Sequence, residues 1–246
     1  MEAAAGMASK RLVFVTGPPG VGKTTLIMKV LERLRSEYPN LQMRGFYTRE
    51  TRDSAGQRVG FEAVTVDGRS ASLASIFPFS SSSSAAGTRA AAAKVGKYNV
   101  DVRSFESLVL PELQAIAQRE DVGGSSSSSS SSNRLFVIDE VGKMELFSSS
   151  FFPAVCDILN SASASSSSST LVLGTIPVPK FGKDLVQVAR IRTRSDVAIF
   201  SLTKANRDAM AISIFSHITA MTLNFTFCVL YEKQQHPFSK KQDSEV

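Results

Sequence analysis

Residues 17–24 read GPPGVGKT, set between the apolar run RLVFVT and the segment TLIMKVLERLRSEY. In that segment Leu26, Ile27, Val30, Leu31 and Leu34 recur at helical spacing, and Pro39 ends the pattern. A buried strand that runs into a glycine-rich turn and opens directly into an amphipathic helix leaves a chain few folds. The turn matches G-x-x-x-x-G-K-[ST] with Gly17, Gly22, Lys23 and Thr24. Glycines let such a turn wrap an anion with its N–H groups pointing inward, and the helix N-terminus adds partial positive charge. The stretch Gly17, Pro18, Pro19, Gly20, Val21, Gly22, Lys23, Thr24 and Thr25 is therefore expected to hold the phosphates of a nucleotide. Lys23 would reach the β and γ phosphates, and the Thr24 hydroxyl would ligate Mg2+.

The remaining pattern alternates. MRGFYTRE and QRVGFEAVTV flank the turn-like DSAG and predict a β-hairpin, and KYNVDV predicts a short strand. SFESLVLPELQAIAQRE predicts a helix opening near Ser104 and kinked at Pro111. Then follow a strand (NRLFVIDE), a helix (SSSFFPAVCDILN, with serine at its cap and Pro153 in its first turn), a strand (TLVLGTI), a helix (KDLVQVARIR) and a strand (DVAIFSL). This order predicts an α/β domain over residues 10–210: a mostly parallel sheet flanked by helices, with an inserted antiparallel β-hairpin. Serine-rich segments near 80–93, 123–133 and 161–169 cannot bury apolar area and are expected to be disordered loops. The second and third join a helix to a strand, which puts them at the sheet edge opposite the ligand-binding edge.

Composition narrows the class. The 246 residues are 43% hydrophobic and 20% charged, as in an ordinary soluble domain. A net charge of +6 comes from scattered Lys and Arg, so nucleic acid is not implied. Cys156 and Cys228 form no CxxC, and with only His217 and His236 there is no zinc or disulfide framework. The leading MEAAAGMASKR lacks the apolar core of a signal peptide, so the expected location is cytoplasmic, with the nucleus not excluded. Residues 211–246 form a divergent apolar segment and a tail expected to be disordered. Within 209–231 there is no Asp, Glu, Lys or Arg, but Ser213, Ser216, His217, Thr219, Thr222, Asn224 and Thr226 oppose membrane insertion. A terminal helix followed by a strand, or a terminus of poor stability, are the other readings.

The run LFVIDEVGKME carries the second constraint, because an apolar strand ends in two adjacent acids. A nucleotide with Mg2+ needs a carboxylate at the end of a neighbouring strand, and Asp139 suits that role. Glu140 is then placed to position or deprotonate water, against the alternative of a solvated strand-end acid. If TLVLGT lies between the Asp139 strand and the phosphate-loop strand, the Thr175 hydroxyl faces the γ-phosphate. Otherwise Thr175 is an ordinary strand residue.

The segments TGPPGVGKTTLI, GFYTRETR, GQRVGFEAVT, VGKYNVD, VIDEVGKMELFS, LGTIPVPK and TKANR occur in that order. They resemble the cancer-related nucleoside-triphosphatase family, small P-loop NTPases of broad nucleotide specificity, over roughly residues 10–210 apart from the serine segments. The most specific match is the Asp-Glu-x-Gly-x-x-Glu pattern. The resemblance implies a P-loop NTPase fold and Mg2+-dependent hydrolysis of nucleoside triphosphates such as ATP and GTP. It also implies a nucleotide site completed by Val137, Ile138, Asp139, Glu140, Val141, Gly142, Lys143 and Met144. Protein partners are not specified. Gly142 would permit a sharp turn near the phosphates, Lys143 would meet a phosphate, and Glu145 would orient Lys143 or an arginine, unless Lys143 and Glu145 are an exposed pair at a helix start. Arg52 and Arg58 flank the hairpin turn and are candidates for stabilising charge on the transferred phosphoryl group, or are simply solvated. Arg190, Arg192 and Arg194 suit a helix C-terminus. In TKANR, Lys204, Asn206 and Arg207 are candidates for contact with the base. Two rival activities use the same phosphate loop: a nucleotide or nucleoside kinase, and a non-catalytic nucleotide switch.

Overall fold

The computed structural model describes residues 10–79, 93–114, 133–164 and 170–235, with the side chains of the last stretch described through Leu223. Its strands are β1 (Leu12–Gly17), β2 (Gln42–Arg52), β3 (Arg58–Thr65), β4 (Ser70–Ser75), β5 (Lys94–Val95), β6 (Tyr98–Val100), β7 (Arg134–Ile138), β8 (Thr170–Pro177) and β9 (Val197–Ser201). The helices are α1 (Lys23–Glu37), α2 (Val102–Gln114), α3 (Phe151–Ser163), α4 (Val186–Arg192) and α5 (Arg207–Gln235), with a 3-10 turn at Glu145–Phe147. The described strands make one sheet in the order β5-β6-β4-β3-β2-β7-β8-β1-β9.

The sheet has two halves that meet in β2. Gln42–Phe46 pairs in parallel with β7, and Phe46–Arg52 pairs antiparallel with β3. The hairpin is thus a continuation of the parallel sheet, and beyond Phe46 it overhangs the C-terminal strand ends by roughly 20 Å. β4, sequence SASLAS, extends the antiparallel half. Nothing in its composition signals a strand, because serine and alanine have little β preference and only pairing with β3 makes it one. KYNVDV, expected as one strand, lies in a small hairpin, with β6 paired to β5 and β4.

β1, β7 and β8 read as continuous apolar runs because helices cover both of their faces. Leu12, Phe14, Phe136 and Val172 enter the core shared with α2, α3 and α4. Val13, Val15, Leu135 and Leu171 enter the core shared with α1 and α5. In the first core Phe46, Phe105 and Phe151 pack edge to face with centroids 5.3–5.8 Å apart.

Helix boundaries differ from the expected ones in two places. α2 starts at Val102 and is capped by Asp101, whose carboxylate accepts from the Ser104 backbone at 3.0 Å and the Ser104 hydroxyl at 2.7 Å. α3 begins at Phe151, whose N–H donates to the Ser148 hydroxyl at 3.1 Å, and the helix runs on through Ser163. Residues 161–163 are therefore helical and not part of a loop. Residues 165–169 and, apart from Ala93 and Asn133, the segments near 80–93 and 123–133 lie outside the described residues.

The divergent terminus is one helix, α5, with no following strand through Gln235. Ile214, Phe215 and Ile218 are buried against α1, and the Arg33 guanidinium lies 3.7 Å above the Phe215 ring. Its hydroxyls bond back to the helix itself: Ser213 to the Ala209 carbonyl, Thr219 to Ser216 and Thr222 to Ile218. These bonds satisfy the hydroxyls of Ser213, Thr219 and Thr222 within the helix itself. Among the described residues no helix is long and apolar enough to cross a membrane. Ile218→Ala is expected to lower stability by about 3 kcal/mol, the usual cost of emptying a buried aliphatic site. An unchanged urea midpoint would show that α5 does not cover the sheet.

Candidate active site

β1 delivers Gly17 to the C-terminal edge of the sheet, and α1 begins at Lys23. Between them Pro18, Pro19 and Gly20 are exposed, while Val21 is buried in the α1 core and anchors the loop. Gly22 is the residue preceding the helix, with φ of 101°, a conformation that only glycine adopts without strain. No side chain caps the first turn and no acid lies in it, which leaves its N–H groups open to an anion. Thr24 is half-buried and Thr25 exposed. Lys23 is buried; its Nζ donates to the Gly17 carbonyl at 3.2 Å and stands 3.3 Å from Glu140 Oε2.

β8 does lie between β7 and β1, so the end of β7 faces the phosphate loop across one strand. Two backbone bonds fix that end: Asp139 N–H to the Phe46 carbonyl at 3.1 Å, and Val141 N–H to the Thr175 carbonyl at 2.9 Å. Asp139 is fully buried. Thr175 donates to Asp139 Oδ1 at 2.5 Å, so its hydroxyl is spent on the carboxylate. Asp139 Oδ2 is buried with no hydrogen-bond partner. Burial pushes this carboxyl above the usual range, opposed by the hydroxyls of Thr175 and Thr24, the Thr48 backbone and the Lys23 charge. The Glu140 carboxyl is also raised by burial, opposed by the charges of Lys23 and Lys180.

Glu145 closes the site from below. It is buried and accepts from the Gly142 N–H at 3.1 Å. A side-chain carbon at Gly142 would come within 2.9 Å of Glu145 Oε2 and 3.1 Å of Glu140 Oε1, so glycine is required there for closeness. Glu145 contacts neither Lys143, which is exposed, nor an arginine among the described residues. Burial and the neighbouring Glu140 charge push its carboxyl up to about 8. An acid raised from 4.5 to about 8 favours folding fully below pH 4.5, and that contribution is lost as pH rises to 8. Stability is therefore expected to fall between those values by up to about 1.4 kcal/mol per pH unit. Glu145→Gln should flatten the decline, as read from urea midpoints at pH 5, 6, 7 and 8. A parental midpoint that does not fall over this window would contradict a buried, protonated Glu145.

Other expected residues are placed differently. The Val137 and Ile138 side chains are fully buried in opposite cores and serve to position Asp139. Val141 and Met144 also pack into the core. Arg52 and Arg58 both engage Glu50, at 2.5 and 2.7 Å, and Arg58 also donates to the Tyr98 hydroxyl at 3.0 Å. Arg192 pairs with Asp184 and Arg194 with Asp196, which goes beyond a helix-end role. Asn206 ties its own turn, accepting from Thr203 N–H and donating to the Ser201 carbonyl. Arg207 lies beside Gly22 and lines a groove with Thr25, Leu26 and Lys29. Sequence reasoning missed Lys180, since nothing in the spacing of LGTIPVPK marks that lysine.

A family model described as NTPase matches residues 12–215, into the first turns of α5. The chain is 46% identical over 208 residues to the cancer-related nucleoside-triphosphatase homolog of Bos taurus, covering 85% of this chain and 96% of the relative. It is similar to the solution structure of a human cancer-related nucleoside triphosphatase, with TM-score 0.62, 43% identity, and 84% and 96% of the two chains covered. The crystal structure of THEP1 from the hyperthermophile Aquifex aeolicus matches with TM-score 0.62 and 31% identity over 84% of this chain and 98% of that one. The phosphate loop, the paired acids at the end of β7 and the extent of these matches agree, and the chain belongs to the NTPase family that includes the cancer-related nucleoside-triphosphatases.

Proposed function

We propose that this protein hydrolyses nucleoside 5'-triphosphates to diphosphate and phosphate with Mg2+, over a broad range of bases. The observation that carries the reading is the Lys23–Glu140 ion pair at 3.3 Å, across from a buried Asp139 oxygen without a partner. Thr24 and Asp139 are hard oxygen donors on adjoining elements, and among the described residues no group of three or more His, Cys, Asp or Glu could hold a metal by itself. That fits Mg2+, which binds through one or two protein oxygens together with nucleotide phosphates. Bound there, Mg2+ would neutralise charge on the phosphate oxygens. Thr175 holds Asp139 in place. Lys23 exchanges Glu140 for phosphate when nucleotide enters. Glu140 then loses its nearest cation and becomes a stronger base toward water at the γ-phosphate. Glu145 holds the Gly142 turn beneath it.

The groove beside Gly22, Thr25, Leu26, Lys29 and Arg207 suits the ribose and base. Its lining joins one apolar side chain, Leu26, to the flexible cations Lys29 and Arg207 and holds no amide or carboxylate to select one base, which supports broad specificity. A kinase needs free cations over an acceptor; Arg52 and Arg58 are already committed to Glu50, and nothing favours that reading or a non-catalytic switch. The test is phosphate release from ATP, GTP, CTP and UTP with and without Mg2+. Release of diphosphate and phosphate without an added acceptor supports hydrolysis, and dependence on an added nucleoside or nucleotide acceptor would replace it with the kinase.

A further inference from the structure

We propose that Lys180 is a further catalytic residue, meeting the γ-phosphate from the β8 side and stabilising charge that grows on it during transfer. The assignment rests on the hydrolytic reading above. β8 is flanked by β1 and β7, so the chain leaving its C-terminal end emerges between the phosphate loop and Asp139. Pro177 and Pro179 stiffen that exit. The next four residues form a closed turn, with Lys180 N–H donating to the Lys183 carbonyl at 2.9 Å and Lys183 N–H returning to the Lys180 carbonyl at 2.9 Å.

The two central residues, Phe181 and Gly182, have φ of 50° and 72°. Two left-handed residues in sequence make the tight hairpin turn that glycine and asparagine normally supply. A phenylalanine there is strained. Its ring is 101% exposed, so no packing of the ring offsets the strain. The turn therefore has some other use, and strain of this kind gathers at functional sites. Lys180 opens this turn three residues past Pro177, which pairs with Gly17 of the phosphate loop, and it is exposed and without a side-chain hydrogen bond or ion pair among the described residues. Its positive charge acts on the Glu140 carboxylate together with that of Lys23. The arginines nearest in role are occupied: Arg52 and Arg58 by Glu50, Arg49 by Glu62 and Arg192 by Asp184. Lys180 is a cation at the strand end that pairs with the phosphate loop, with no side-chain partner among the described residues, and an ammonium at that edge is worth most when charge develops on the phosphoryl oxygens.

Lys180→Met should lower turnover by about 10- to 100-fold. Its affinity for ADP should stay within about twofold, since ADP has no γ-phosphate, while its affinity for ADP with aluminium fluoride falls by the same factor as turnover. Lys180→Arg should recover most of the loss, and Lys183→Met, at the other end of the turn, should remain near parental. The assignment is overturned if Lys180→Met keeps more than half of parental turnover. It is also overturned if Lys183→Met loses as much, which would mean a diffuse field, or if ADP affinity falls in parallel, which would mean a collapsed turn. A parent that releases no phosphate would overturn the hydrolytic reading and this assignment with it; an active parent with an unaffected Lys180→Met overturns this assignment alone.

Discussion

Glu140→Gln is expected to bind nucleoside triphosphate at least as tightly as the parent and to turn over about 10² to 10⁴ times more slowly. The amide is nearly isosteric, so the geometry at the end of β7 survives. It removes a negative charge 3.3 Å from Lys23, which frees that lysine for phosphate and removes a repulsion against it. Ground-state binding therefore holds or improves. Turnover falls because an amide does not accept the proton of the attacking water. The measurement is paired: equilibrium titration with nucleotide, and phosphate release at saturation. Retention of more than a third of parental turnover would move the water-positioning role to another group. Parallel loss of binding and turnover would make Glu140 a structural or metal-linked residue.

Asp139→Asn should produce opposite effects on activity and stability. Its carboxylate is fully buried, with Thr175 on Oδ1 and nothing on Oδ2. An anion kept this way is poised for a cation and costs stability in its absence. The amide carries no charge to hold Mg2+, and turnover should fall by about 10³ or more, with the Mg2+ requirement shifted to higher concentration. Without nucleotide, the variant should melt higher. The sign follows from burial: a carboxyl raised above its unfolded value favours folding at low pH and loses that contribution as pH rises. As pH rises the parent takes on more of the cost of the buried charge, and the variant carries none of it. A rise of a few degrees is expected, about 2–4 °C per kcal/mol for a domain of this size. Calorimetry at pH 6 and pH 8 checks it. A variant that melts lower at pH 8, or that hydrolyses with undiminished Mg2+ dependence, would contradict the role given to Asp139.

Those two acids were legible in the sequence because they are neighbours at the end of one apolar strand. The phosphate loop was legible for the same reason: the strand, Gly17 to Thr24 and the helix are contiguous, and glycine chemistry together with the 3.6-residue period acts within a few residues. The β2–β3 hairpin also followed from a local turn. β4 was not legible, since SASLAS has no strand pattern and exists by pairing with β3. The long uncharged terminus was ambiguous on its own, because its burial depends on the apolar face of α1, and its contacts to Arg33, Lys10 and Asn133 also come from far along the chain.

The sequence alone determined that this protein carries a glycine-rich loop between a strand and a helix and keeps two carboxylates at a strand end, since both features are written in consecutive residues. Only the tertiary structure decided which partners those groups meet. Thr175 reaches Asp139 because β8 inserts between β1 and β7 and sets the register, a contact spanning 36 positions. Glu50 claims Arg52 and Arg58, Glu145 turns inward to Gly142, and Lys180 follows β8 without a side-chain partner among the described residues. The physical reason is one of range. Turn and helix preferences act over neighbouring residues, whereas burial, charge pairing and the fate of each hydroxyl are settled by strand order, which no short stretch encodes.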